Sequence, residues 1–128
     1  MLARSFLSAT DLGISEVERA ALITTLLAFE RGEIDNFTMR HFRKTCGTPA
    51  CICGWANHFS GGRAFAEVST MSGVLATKQL HRRLPNQLQY LFDIQGFPEQ
   101  AAATQTQAAA ALANYLTHGE PRWDEVTA

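Results

Sequence analysis

The chain has 128 residues, of which 46% are hydrophobic and 18% are charged, and its formal net charge at pH 7 is -1. This length and composition predict a single helical domain over residues 1–128 with one hydrophobic core. The nearly balanced charge excludes long-range attraction of nucleic acid or anionic lipid. No segment approaches the roughly 18 to 20 apolar residues of a membrane helix, and no secretory signal is evident at the start. We therefore expect a cytoplasmic protein without a membrane partner.

The first clear helix signal lies at Ser15. The segment Ser15-Glu16-Val17-Glu18 has the spacing of a capping box, in which a Ser hydroxyl and a Glu carboxylate accept reciprocal backbone hydrogen bonds. Gly32 is the predicted end of this helix. The apolar residues between these signals cover a wide arc of the helix, formed by Val17, Ala20, Ala21, Leu22, Ile23, Leu26, Leu27 and Phe29. We predict that this helix is a central member of the core.

Weaker signals follow in the middle of the chain. A short helical turn capped by Thr38 is predicted over 37–42. Thr48 followed by Pro49 predicts the start of a helix over about 49–59, which Gly61 and Gly62 end. Short helices are also predicted over 63–68 and 78–84, with short hairpins over 62–68 or 74–76 as the alternative. Pro85 opens a further predicted helix, whose Leu88, Leu91 and Phe92 share a face.

The last predicted helix runs from Gln105 to His118. It is rich in Ala and places Leu112, Tyr115 and Leu116 at helical spacing, and Gly119 and Pro121 close it. No segment alternates apolar and polar residues long enough to require a sheet. The predicted fold class is therefore mainly α, a compact single domain of about five or six short helices with irregular connections.

Potential ligands and nucleophiles are concentrated in one segment of eighteen residues, which contains His41, Cys46, Cys51, Cys53 and His58. An odd number of clustered cysteines does not fit the disulfide framework of a secreted domain. A helix over 49–59 advances about 100° per residue and would place Cys51 on the same side as Trp55, His58 and Phe59. Cys53 would face the opposite side.

Three interpretations of this cysteine cluster compete. His41, Cys46, Cys51 and His58 could form a zinc site, although their spacing is not a familiar zinc pattern. Alternatively, Cys51 lies in a first helical turn, where the helix dipole favours the thiolate, and Cys46 could resolve it in a redox reaction. The interpretation that we favour is structural: Cys46 and Cys51 pack as small apolar groups under Trp55, and Gly54 allows a neighbouring helix to approach.

Two basic clusters could contact phosphates. They are Arg40-His41-Arg43-Lys44 and Lys78-His81-Arg82-Arg83, and the second precedes the helix predicted after Pro85. Arg82 and Arg83 are therefore the candidate nucleic-acid ligands. The alternative is a solvated helix face, which the absence of net positive charge favours.

The segment Cys46-Gly47-Thr48-Pro49-Ala50-Cys51-Ile52-Cys53-Gly54-Trp55-Ala56 resembles a Cys-Gly-Thr-x-x-Cys-x-x-Gly-Trp-Ala motif. That motif occurs in small, functionally uncharacterised proteins of bacteria and their phages. The similarity extends from Phe37 to Trp123 and so covers most of the chain. It implies a compact fold that needs this turn-plus-helix unit, and it implies no particular activity.

The functional expectation is a non-enzymatic binding or accessory protein without a cofactor. We find no Ser-His-Asp order and no Gly-rich nucleotide loop. A protein partner or a second copy would bind an Ala-rich or aromatic face around Leu112, Tyr115, Leu116 or Trp123. The first alternative is a thiol-redox or metal-binding protein that uses Cys46 and Cys51, with His58 assisting. The second is a nucleic-acid-binding accessory protein.

Overall fold

A computed structural model describes residues 5–34, 52–65, 87–88, 91 and 104–126, with only the backbone at position 53. Five helices lie within these ranges: α1 (Ala9–Leu12), α2 (Glu16–Glu30), α3 (Ile52–Phe59), α4 (Gln105–His118) and α5 (Trp123–Val126). Residues 87, 88 and 91 are helical as well. The described ranges contain no strand, and the prediction of a mainly α fold is confirmed. None of their helices is long and apolar enough to span a membrane.

Helix α2 begins and ends as its local sequence predicts. The Ser15 hydroxyl accepts a hydrogen bond from the Glu18 amide at 3.1 Å, and the Glu18 carboxylate accepts one from the Ser15 amide at 2.9 Å. At the other end Gly32 takes a φ of 70°, in the left-handed region that glycine enters without strain. There the Glu33 amide bonds the Ala28 carbonyl at 2.9 Å, so a helix-end carbonyl gains a partner.

Helix α2 is the central element of the core, as predicted. It packs against α1, α3 and α4. Its buried residues are Ala21, Leu22, Thr25, Leu26, Ala28 and Phe29. Ala20, which the sequence placed in the apolar arc, is exposed. Thr25 is buried although it is polar, because its hydroxyl donates a 2.8 Å hydrogen bond to the Ala21 carbonyl of the same helix.

Helix α4 also has the predicted bounds, Gln105–His118. The sequence analysis overlooked its start signal, which is a second capping box: the Thr104 hydroxyl accepts from the Gln107 amide, and the Gln107 side chain accepts from the Thr104 amide. Gly119 ends the helix with a φ of 83°. The short helix α5 packs on α4 and buries Trp123.

Residues 5–8, the first that the structure describes, are hydrogen-bonded to α4 near the other end of the described chain. The Leu7 amide donates a 2.8 Å hydrogen bond to the Leu116 carbonyl, near the end of α4. The Leu7 carbonyl accepts a 2.7 Å hydrogen bond from Nε of Arg19 on α2. Ser8 then caps α1 through a 3.1 Å bond from the Asp11 amide. Neither α1 nor α5 was predicted, because four residues are too few to show a helical period.

The helix predicted over 63–68 does not begin where expected. Residues 64 and 65 form a turn, and Phe65 has a φ of 57°, which is incompatible with a right-handed helix. Residues 66–68 lie outside the described ranges. So do the predicted elements over 37–42, 74–76 and 78–84, the helix start at Thr48-Pro49, and the helix after Pro85 apart from residues 87, 88 and 91. Leu88 and Leu91 are both buried.

Candidate functional site

Most of the predicted site residues lie outside the part of the chain that the structure describes. These are His41, Cys46, Cys51, the side chain of Cys53, Arg82 and Arg83. His58 is the predicted site residue that the structure places, and it lies exposed in the last turn of α3. The zinc, thiol and nucleic-acid interpretations therefore stay predictions.

One side of helix α3 packs into the core, and His58 in its last turn is exposed to solvent. Ile52 and Ala56 are fully buried, and Trp55 is 7% exposed. His58 is exposed, and Phe59 is partly buried against the core. Helix α3 is thus part of the packed interior, with His58 exposed in its last turn.

Three rings share one side of α3. The centroids of Trp55 and Phe59 are 5.5 Å apart with the rings stacked, and those of Trp55 and His58 are 5.6 Å apart at 90°. His58 and Phe59 meet edge to face at 5.5 Å. Such separations are typical of attractive aromatic pairs. The predicted grouping of Trp55, His58 and Phe59 on one side is confirmed, and we call these residues the α3 edge.

A hydrogen-bonded turn fixes the end of α3 beside this edge. The buried side chain of Asn57 donates a 2.7 Å bond to the Ala64 carbonyl, and the Ala64 amide donates a 2.8 Å bond to the Ser60 hydroxyl. Ser60 in turn donates to the Asn57 carbonyl at 2.8 Å. The exposed residue Arg63 donates from Nε to the Ser60 carbonyl at 3.4 Å. These hydrogen bonds fix the turn that directly follows His58 and Phe59.

The face of α4 that the sequence analysis assigned to a partner is not a surface. Leu112 and Leu116 are fully buried, Tyr115 is 1% exposed and Trp123 is 5% exposed. They belong to the core cluster that includes the buried side of α2. The periodicity correctly identified an apolar face, but the chain itself covers that face, so this location for a partner surface was wrong.

The sequence analysis missed a buried polar atom on the same face. The Tyr115 hydroxyl is inaccessible to solvent and has no hydrogen-bond partner among the described residues. Burial is the main cause of a raised pKa of Tyr115, and the negative charge of Glu18 raises that pKa further. The phenol is therefore kept neutral.

Within the described ranges no three His, Cys, Asp or Glu side chains are grouped closely enough to hold a metal ion. Comparison of the chain with models of protein families, with curated proteins and with solved structures finds no match.

Proposed function

We propose that this protein is a non-enzymatic binding or accessory protein that contacts its partner through the α3 edge. The observation that carries the proposal is the position of His58 and Phe59, which extend an aromatic cluster from the core to the surface. Aromatic side chains are enriched in protein interfaces because they bury a large area at a small entropic cost.

The support under this edge favours binding without rearrangement. Within the edge, Trp55 is packed in the core and holds His58 and Phe59 by ring contacts, and the Asn57–Ser60–Ala64 hydrogen bonds fix the following turn. A preorganised surface loses less side-chain entropy when a partner binds. The exposed ring of His58 also suits pairing with the same ring of a second copy around a two-fold axis, because an isologous interface places the same patch of both copies in contact.

The proposal predicts that His58→Glu weakens self-association. A carboxylate at the centre of a paired edge would face its own copy and would lose solvation, so the dimer dissociation constant should rise at least tenfold. His118→Glu is the matched control, because His118 is an exposed histidine in the last turn of α4. Sedimentation equilibrium over a hundredfold range of protein concentration measures both variants and the unchanged protein.

Two results would contradict the proposal that the partner is a second copy of this chain. An unchanged protein that stays monomeric at all concentrations would exclude self-association. An equal effect of His58→Glu and His118→Glu would exclude the α3 edge as the contact surface. Circular dichroism of each variant verifies that the helices remain folded.

A second candidate function is thiol chemistry at Cys51, with Cys46 as its resolving partner and His58 assisting. This candidate rests on the sequence, in which Cys51 falls in a predicted first helical turn where the helix dipole favours the thiolate. If this function holds, iodoacetamide should alkylate Cys51 much faster than free cysteine at pH 7, as peptide mass spectrometry would measure. Cys51→Ser should abolish the fast phase, whereas Cys53→Ser should retain it. Uniformly slow alkylation of all three cysteines would exclude this function.

A further inference from the structure

We draw no further inference here: the strongest candidate, the exposed His58 beside the partly buried Phe59 at the end of α3, belongs to the site already described, and nothing in the described residues shows which chemistry beyond the proposed partner would cover it.

Discussion

Tyr115 is a fully buried side chain whose ring and hydroxyl have opposite effects on stability. The ring fills the core between α2 and α4, and residues of this size each contribute several kcal/mol when buried. The hydroxyl lost its hydrogen bonds to water on burial and has no replacement among the described residues. An unmade bond of this kind costs roughly 1 to 3 kcal/mol.

We therefore expect Tyr115→Phe to leave the free energy of unfolding at pH 7 unchanged or to raise it by about 1 kcal/mol. The variant should also flatten the alkaline part of the stability profile. Tyrosine in the unfolded chain loses its proton near pH 10, while the buried phenol, with its raised pKa, keeps its proton. The raised pKa therefore leaves the unfolding free energy unaffected below about pH 10, and ionisation of Tyr115 in the unfolded chain lowers that free energy progressively as the pH rises further.

Urea unfolding of the unchanged protein and of Tyr115→Phe between pH 7 and pH 11.5 measures this effect. Taking the difference between their unfolding free energies at each pH removes the contributions of lysine and cysteine, which both proteins share. Tyr115→Ala is the companion variant, and we expect it to lose about 3 to 5 kcal/mol because the ring itself is removed. A loss of more than about 1 kcal/mol in Tyr115→Phe at pH 7 would contradict the prediction, since it would reveal an acceptor for the hydroxyl.

The segment 5–8 is a connecting element without regular structure of its own. Its backbone is bonded on both sides of Leu7, to Arg19 of α2 and to Leu116 of α4. The Leu116 carbonyl is one of the last four of its helix and has no amide partner within that helix. The Leu7 amide thus supplies a hydrogen-bond donor to a carbonyl at the end of α4. The same segment is also bonded to α2 through Arg19.

We expect Arg19→Ala to weaken the attachment of residues 5–8 to α2 and α4. A hydrogen bond from a charged guanidinium contributes roughly 1.5 to 3 kcal/mol, so we expect the unfolding free energy to fall by about this amount. Hydrogen exchange at the Leu7 amide, read by NMR, should become at least fivefold faster, because the segment that donates to Leu116 is no longer held. Arg31→Ala is the control, since Arg31 is largely exposed and its contact with Glu33 is 4.0 Å long. Equal exchange in the two variants would show that Arg19 does not hold the segment.

The molecule as a whole depends on α2, because α3 and α4 both pack against it. Leu26 is fully buried within this helix, and Leu26→Ala should lower the unfolding free energy by about 2 to 5 kcal/mol. Leu27→Ala is the matched control on the same helix, where the side chain is only partly buried, and we expect a loss of about 1 kcal/mol.

The two tryptophans report on different parts of the core. Trp55 lies on α3 and Trp123 on α5, so variants with a single Trp can be followed separately by fluorescence. If the chain is one cooperative domain, Leu26→Ala should shift the unfolding midpoints of both signals equally. A shift of one signal alone would contradict the single-domain prediction.

The sequence predicted those features that depend on neighbours along the chain. The capping box at Ser15, the glycine at position 32 and the bounds of α4 are local, and all are confirmed. Thr25 was missed because its hydroxyl bonds within its own helix, which no apolar pattern reveals. The face around Leu112 was assigned to a partner because periodicity identifies an apolar face without identifying what covers it.

The candidate site was predictable to a smaller extent. Helical spacing was sufficient to group Trp55, His58 and Phe59, and the distances between their rings confirm this grouping. Which of these rings reaches solvent depends on the packing of α3 against α2, and this cannot be deduced from spacing. The pairing of Cys46 with Cys51 depends on the predicted turn at 47–49, which lies outside the described residues, and stays a prediction.

The hydrogen bond from Leu7 to Leu116 also has a consequence for synthesis on the ribosome. Its two partners lie near opposite ends of the described chain, so the bond cannot form until α4 has left the exit tunnel. Until then α4 cannot bury Leu22 and Leu26 of α2 in the nascent chain. Such exposed apolar surface is what chaperones recognise, and ribosome stalling before α4 should therefore yield an aggregation-prone product.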